Sequence, residues 1–153
     1  MEESYLDILE YLEVSDAGAL FAQRESGFHR IPFEMEKTLY RFIYEGKPEE
    51  MVRFYQRMLM QPQSLRVPIG KTSHDRLRQL KYAAVSAVAV SCRAAIMGGA
   101  VEAVAYAKSD DAILQIDGAR NALEVLKLEI RALLDYATLV KQTKSASRYT
   151  PAV

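Results

Sequence analysis

The residue with the most chemical leverage in this chain is Arg93. It stands between Cys92 and Ala94 in the run Tyr82–Met97, the most apolar stretch of the sequence. A buried charge without a partner is very costly, so a guanidinium here must reach solvent or meet a carboxylate. Asp110 and Asp111 follow on the next segment, which the Gly98-Gly99 turn folds back beside Arg93. The expected structure is an internal ion pair of Arg93 with Asp110. The functional alternative is an anion-binding group in an effector pocket.

Other reactive residue types are scattered. His29 and His74 are the only histidines, and no cluster with metal-ligand spacing accompanies them. Cys92 is the single cysteine; it lies among small apolar residues and reads as an inert core thiol. The neighbouring carboxylates Asp110-Asp111 and Glu49-Glu50 diverge by about 100° on a helix, which is poor geometry for acid–base work. Gly98-Gly99 lacks the spacing of a phosphate loop. The chain therefore reads as a non-enzyme, with no catalytic, metal or cofactor site expected.

Two broader groupings stand out. Lys71, His74, Arg76, Arg78 and Lys81 cluster at the start of a long helical segment, where positive charge opposes the helix dipole. They read as a solvated face, as partners of Glu34 or Glu36, or as a contact surface for an acidic partner. Tyr5, Phe28, Phe33, Tyr40, Phe42, Tyr44, Phe54 and Tyr55 crowd the first half of the chain, and six methionines are spread along it. That pattern is core packing or, alternatively, an adaptable pocket for a small-molecule or peptide effector.

Helices must position these groups. Tyr5, Ile8, Leu9 and Leu12 recur at helical spacing over 3–13, with Ser4 as a cap. Pro32 suits a helix start, Met35, Leu39, Phe42 and Ile43 make its stripe, and Gly46 ends it. Pro48 opens the next helix, with Met51, Val52, Tyr55, Met58 and Leu59 inward and Pro62 as the stop. Ser73 is the expected cap of a central helix over 75–97. A helix over 101–117 follows, with Ser109 as a possible internal cap. The last helix, 119–143, carries Leu123, Leu126, Ile130, Leu133, Ala137 and Val140 as a heptad seam. Val125, Leu128, Ala132, Tyr136 and Leu139 form a second stripe. One stripe packs on the domain; the other calls for a twin subunit, so Leu123, Leu126, Ile130, Leu133 and Ala137 are the expected dimerisation residues.

The expected fold is all-α: a bundle or array of about six helices with a long central and a long C-terminal helix. Residues 1–144 form one domain and 145–153 a polar linker. Among 153 residues, half are hydrophobic, and 20 basic side chains balance 20 acidic ones. Zero formal net charge disfavours a free-standing nucleic-acid binder or a polybasic membrane-surface protein. Met1-Glu2-Glu3 is acidic where a signal peptide carries basic residues, and Tyr82–Met97 is short and interrupted for a membrane span. A cytoplasmic location is expected.

Three elements resemble a known family. Arg78-Gln79-Leu80-Lys81-Tyr82, Arg93-Ala94-Ala95-Ile96-Met97-Gly98-Gly99 and Ala105-Tyr106-Ala107-Lys108-Ser109-Asp110 read as R-x-x-K-Y, R-A-A-I-x-G-G and A-Y-x-x-S-D. With Phe28–Lys37 and Tyr44–Lys47 they are similar to AraC-type transcriptional regulators common in Firmicutes, over roughly residues 28–117. The resemblance implies a helical regulatory domain that senses a signal and dimerises. In that family two helix-turn-helix motifs follow, near where Tyr149–Val153 stands, and this chain shows neither. DNA would then be reached only through that further domain. The alternative reading is a stand-alone helical adaptor for another protein.

Overall fold

The computed structural model describes residues 33–60 and 73–149. Five helices occupy them: α1 (Phe33–Glu45), α2 (Pro48–Met60), α3 (Arg76–Met97), α4 (Glu102–Asp117) and α5 (Ala122–Tyr149). No strand occurs among the described residues, so the all-α class holds. The sixth expected helix, 3–13, lies outside them, as do Lys71, His29, the connector around Pro62 and Pro68, and the tail beyond Tyr149.

Local signals place the boundaries. α1 ends in a Schellman turn: the Lys47 N–H donates to Phe42 O (2.7 Å) and the Gly46 N–H to Ile43 O (3.0 Å). Gly46 takes φ of +71°, a left-handed conformation that glycine adopts without penalty. α3 ends the same way, with Ala100 N–H donating to Ala95 O (3.0 Å), Gly99 N–H to Ile96 O (3.0 Å), and Gly99 at φ +112°. The cap of α3 is Asp75 and not Ser73: the Arg78 N–H donates to Asp75 Oδ1 at 2.8 Å. Ser73 Oγ sits one step earlier and accepts from the Asp75 N–H at 3.1 Å. A carboxylate at that position also offsets the helix dipole that Arg76 and Arg78 oppose.

α4 runs unbroken through Ser109, which is buried beside the Tyr136 hydroxyl and caps nothing. α5 starts later and ends later than its apolar pattern predicts. Asn121 Oδ1 accepts from the Glu124 N–H (2.9 Å), and the Glu124 carboxylate accepts from the Arg120 N–H (2.5 Å). This reciprocal arrangement fixes the start. At the other end, residues 145–149 of the expected linker continue the helix.

The core gathers on α5, which packs against each of the other four helices. Leu126, Ile130, Leu133, Ala137 and Val140 are buried, and Leu123 is half-buried. On the second stripe Val125, Ala132 and Tyr136 are buried, and Leu128 and Leu139 pack against the core. Both stripes are thus covered within one chain. Of the expected dimer seam, Leu126, Ile130, Leu133 and Ala137 are therefore buried within the chain itself, and Leu123 is half-buried. Four neighbours, where a bundle-edge helix has two, absorb both apolar faces.

By length and composition alone α3 could cross a membrane. In the fold it behaves as a core helix, burying Leu80, Ala84, Val88, Cys92 and Ala95 against α1, α4 and α5. α1 and α2 form the expected hairpin, with Leu39, Phe42, Ile43, Met51, Val52 and Tyr55 inward and Met35 left exposed. Phe54 makes edge-on contacts with Phe42 and Tyr55 at 6.4 and 6.0 Å between ring centres.

Candidate functional site

Arg93 is exposed, and the expected ion pair with Asp110 is absent. Its guanidinium donates to Ala89 O at 3.2 Å and lies over the Tyr106 ring, 5.1 Å from the centre. The reason is register. Buried Ser91 and Cys92 take the inward positions, and Arg93 falls on the outer stripe Arg78, Tyr82, Ser86, Val90, Arg93, Met97. Asp110 faces solvent on α4. What α4 does supply is an aromatic face, which the cation covers.

The basic cluster at the head of α3 is likewise on the surface. Lys81 donates to the backbone oxygen of Asp117 at 2.5 Å, tying the start of α3 to the end of α4. Glu34 pairs with Lys37 on its own helix, 3.6 Å apart. Cys92 is fully buried, next to the Tyr136 hydroxyl. Among the described residues no group of histidine, cysteine or carboxylate side chains could hold a metal ion.

The site that chemistry favours lies elsewhere, between α4 and α5. The two helices run antiparallel across the tight Gly118 turn. α4 contributes Lys108, Asp111, Ala112 and Gln115; α5 contributes Leu128, Arg131, Ala132 and Asp135, with Tyr136 beneath. On each helix these four positions follow i, i+3, i+4, i+7, which is one face. On each, the third of the four is alanine. Small side chains in both walls leave a cleft of about 150 Å³.

The cleft has an apolar base and a charged rim. Ala112, Leu128, Ala132 and the buried Tyr136 form the base. The Tyr136 hydroxyl donates to Ala105 O at 2.9 Å, which locks the ring in place. Burial pushes its phenol well up, and the neighbouring Cys92 thiol adds to this. It is a structural hydroxyl, not an acid or base. On the rim, Gln115 Nε2 donates to Asp111 Oδ2 at 2.8 Å and orients that carboxylate.

Lys108, Arg131 and Asp135 face one another without closing into any ion pair. Desolvation in the cleft raises the Asp135 carboxyl above its ordinary value, while Lys108 and Arg131 pull it down. Arg131 and Asp135 belong to an outward polar stripe of α5 that also carries Glu124, Lys127, Thr138 and Gln142. In the sequence Arg131 and Asp135 are two of several charges on this helix, beside Glu124, Lys127, Glu129 and Lys141, so nothing singles them out before the register of α4 against α5 is known.

A second enclosed group is Glu129, on the opposite side of α5. Burial lifts its carboxyl to about 7, and it lies within electrostatic reach of Tyr40 on α1 and Tyr55 on α2. Its position inside a seam of apolar residues hides it in the sequence.

Several large apolar side chains are exposed around α4. Val101, Val104 and Leu114 stand 61%, 42% and 71% exposed, and Met97 at the end of α3 is 69% exposed. Of the expected dimerisation residues none is among them. Comparison with family models, with curated proteins and with solved structures gives no match to this chain.

Proposed function

We propose that this chain is a helical regulatory module of the AraC type. It takes a small effector in the α4–α5 cleft and passes the signal along α5 to a DNA-reading segment, without binding DNA itself. One observation carries the reading: α5 packs on all four other helices and presents Arg131 and Asp135 to the cleft. A ligand held by Lys108 and Arg131 adds a tie between α4 and α5, and any shift of α5 repacks the bundle because α5 touches every other helix. The resemblance of Arg93–Gly99 and Ala105–Asp110 to the AraC-type elements supports the same reading. The effector lies away from both places that the sequence suggests, Arg93 and the aromatic hairpin.

The homodimer expected of such a regulator has to use a surface other than Leu126, Ile130, Leu133 and Ala137, which are core. The expected setting is cytoplasmic. The test is a transcriptional reporter fused to the promoter region beside the gene. Deleting the gene should change reporter output, and the double charge reversal Arg131→Glu with Asp135→Lys should mimic one signalling state at normal protein abundance. A reporter indifferent to the deletion overturns the proposal. Tight binding of random duplex DNA by residues 1–153 alone would overturn the claim that the module does not read DNA.

A second reading is a helical adaptor that binds another protein. The exposed apolar side chains Met97, Val101 and Val104 at the α3–α4 turn favour it. A reading frame that continues past Val153 into two helix-turn-helix motifs separates the two readings in favour of the first.

A further inference from the structure

We infer that the α4–α5 cleft takes a zwitterion: a small aliphatic molecule carrying one ammonium and one carboxylate, of which free amino acids are the simplest class. The inference rests on the reading of this cleft as the effector site and goes beyond it by naming the chemistry.

The rim carries two cations, Lys108 and Arg131, and two carboxylates, Asp111 and Asp135. Their charges sum to zero. A simple anion would meet both carboxylates, and a simple cation would meet both basic groups. Only a molecule with separated charges of both signs finds a partner at each end. Arg131 offers a planar fork that matches a carboxylate in two hydrogen bonds. Asp135 offers its carboxylate, and Asp111 is already oriented by Gln115, so both can accept from an ammonium group.

The gap between the charges matters equally. Asp135 lies within reach of Arg131 on its own helix and of Lys108 across the seam, yet none of the three is in an ion pair among the described residues. Elsewhere on the same molecule opposite charges do close: Lys47 sits 3.0 Å from Glu45, and Lys141 bonds Glu49. The floor of the cleft is fixed, since Tyr136 is anchored to Ala105, while Lys108 stays open from Asp111 on α4 and Arg131 from Asp135 on α5 although each pair has helical spacing. The cleft's 150 Å³ fits a molecule of under about ten non-hydrogen atoms. Half-buried Ala112 and Leu128, backed by buried Ala132 and Tyr136, give a short methylene chain a small apolar bed. Partial desolvation of Asp135 makes a matching ammonium more valuable there than in open water.

The experiment is an amide chemical-shift titration of the isotope-labelled chain with glycine, β-alanine, γ-aminobutyrate, ε-aminocaproate and the L-amino acids as probes. Acetate and methylammonium are the single-charge controls. The expected result is saturable shifts confined to Lys108–Gln115 and Leu128–Tyr136, strongest at one chain length. Arg131→Gln and Asp135→Asn, both surface changes, should each weaken that binding by about tenfold or more while leaving the melting curve in place. No saturable shift with any zwitterion overturns the inference. So does equal binding of acetate or methylammonium, although that outcome leaves the cleft an effector site of different chemistry. Zwitterion binding combined with a reporter that ignores gene deletion upholds the inference and removes the regulatory reading.

Discussion

At the scale of single residues, Gly98 decides how closely three helices meet. Gly98 lies against α1 and α5 together: a Cβ there would stand 2.4 Å from Tyr44 O and 3.0 Å from a methyl of Val140. Backbone oxygen cannot move aside as a flexible side chain can. Gly98→Ala should therefore cost about 2–4 kcal/mol, a size typical of core overpacking, and lower the melting temperature by ten degrees or so. Gly99 is the internal control. It has open space around its Cα but a left-handed φ of +112°. Gly99→Ala should cost only about 1–2 kcal/mol, through backbone strain alone. Chemical denaturation of the pair checks both, and a larger loss at Gly99 than at Gly98 would contradict the close approach. Arg93 gives a contrasting case. An exposed cation over Tyr106 is worth about 0.5–1 kcal/mol, so Arg93→Met should move stability by no more than that. A loss of several kcal/mol would mean that the guanidinium is partnered and buried after all.

The scale of helices shows what the sequence could and could not carry. Stops were legible because they are local: Gly46, Pro48 and Gly98-Gly99 act through their own backbone, and each ends or opens a helix where expected. The start of α3 slipped from Ser73 to Asp75 because both can cap, and only the geometry chooses. The seam Leu126, Ile130, Leu133, Ala137 was legible as buried, but not what buries it. An apolar stripe specifies that water is excluded, not whether the excluding surface belongs to the same chain. The cleft was illegible for a related reason. Lys108 and Asp135 become neighbours only through the antiparallel register of α4 against α5. Because the seam is core, Ile130→Ala should cost about 2–5 kcal/mol in the monomer itself. The melting temperature of wild type and variant should stay the same from micromolar to hundreds of micromolar protein. A strong concentration dependence that Ile130→Ala abolishes would restore the seam to a subunit interface.

At the scale of the whole molecule, balanced charge conceals an uneven response to pH. Glu129 sits where the α1–α2 hairpin meets α5, facing the phenols of Tyr40 and Tyr55, with Glu36 the other acid near Tyr40. Burial raises its carboxyl from 4.5 to about 7. Between those values the folded chain holds a proton that the unfolded chain has lost, so folding weakens as pH rises. This contribution is complete below about pH 4.5 and is gone above about pH 7. Its side chain keeps part of its surface, which limits the effect to about 1–3 kcal/mol. Asp135, also raised, adds in the same direction. Glu49 works oppositely: burial would raise it, but the Lys141 bond prevails and lowers it, so its contribution disappears as pH falls through the carboxylate range. The two together give a stability maximum on the mildly acidic side. Thermal melts at about pH 5 and about pH 8 should show wild type losing several degrees at the higher value, and Glu129→Gln losing much less. Equal losses in both proteins would show that the carboxylate ionises in contact with water, and that the hairpin does not seal against α5.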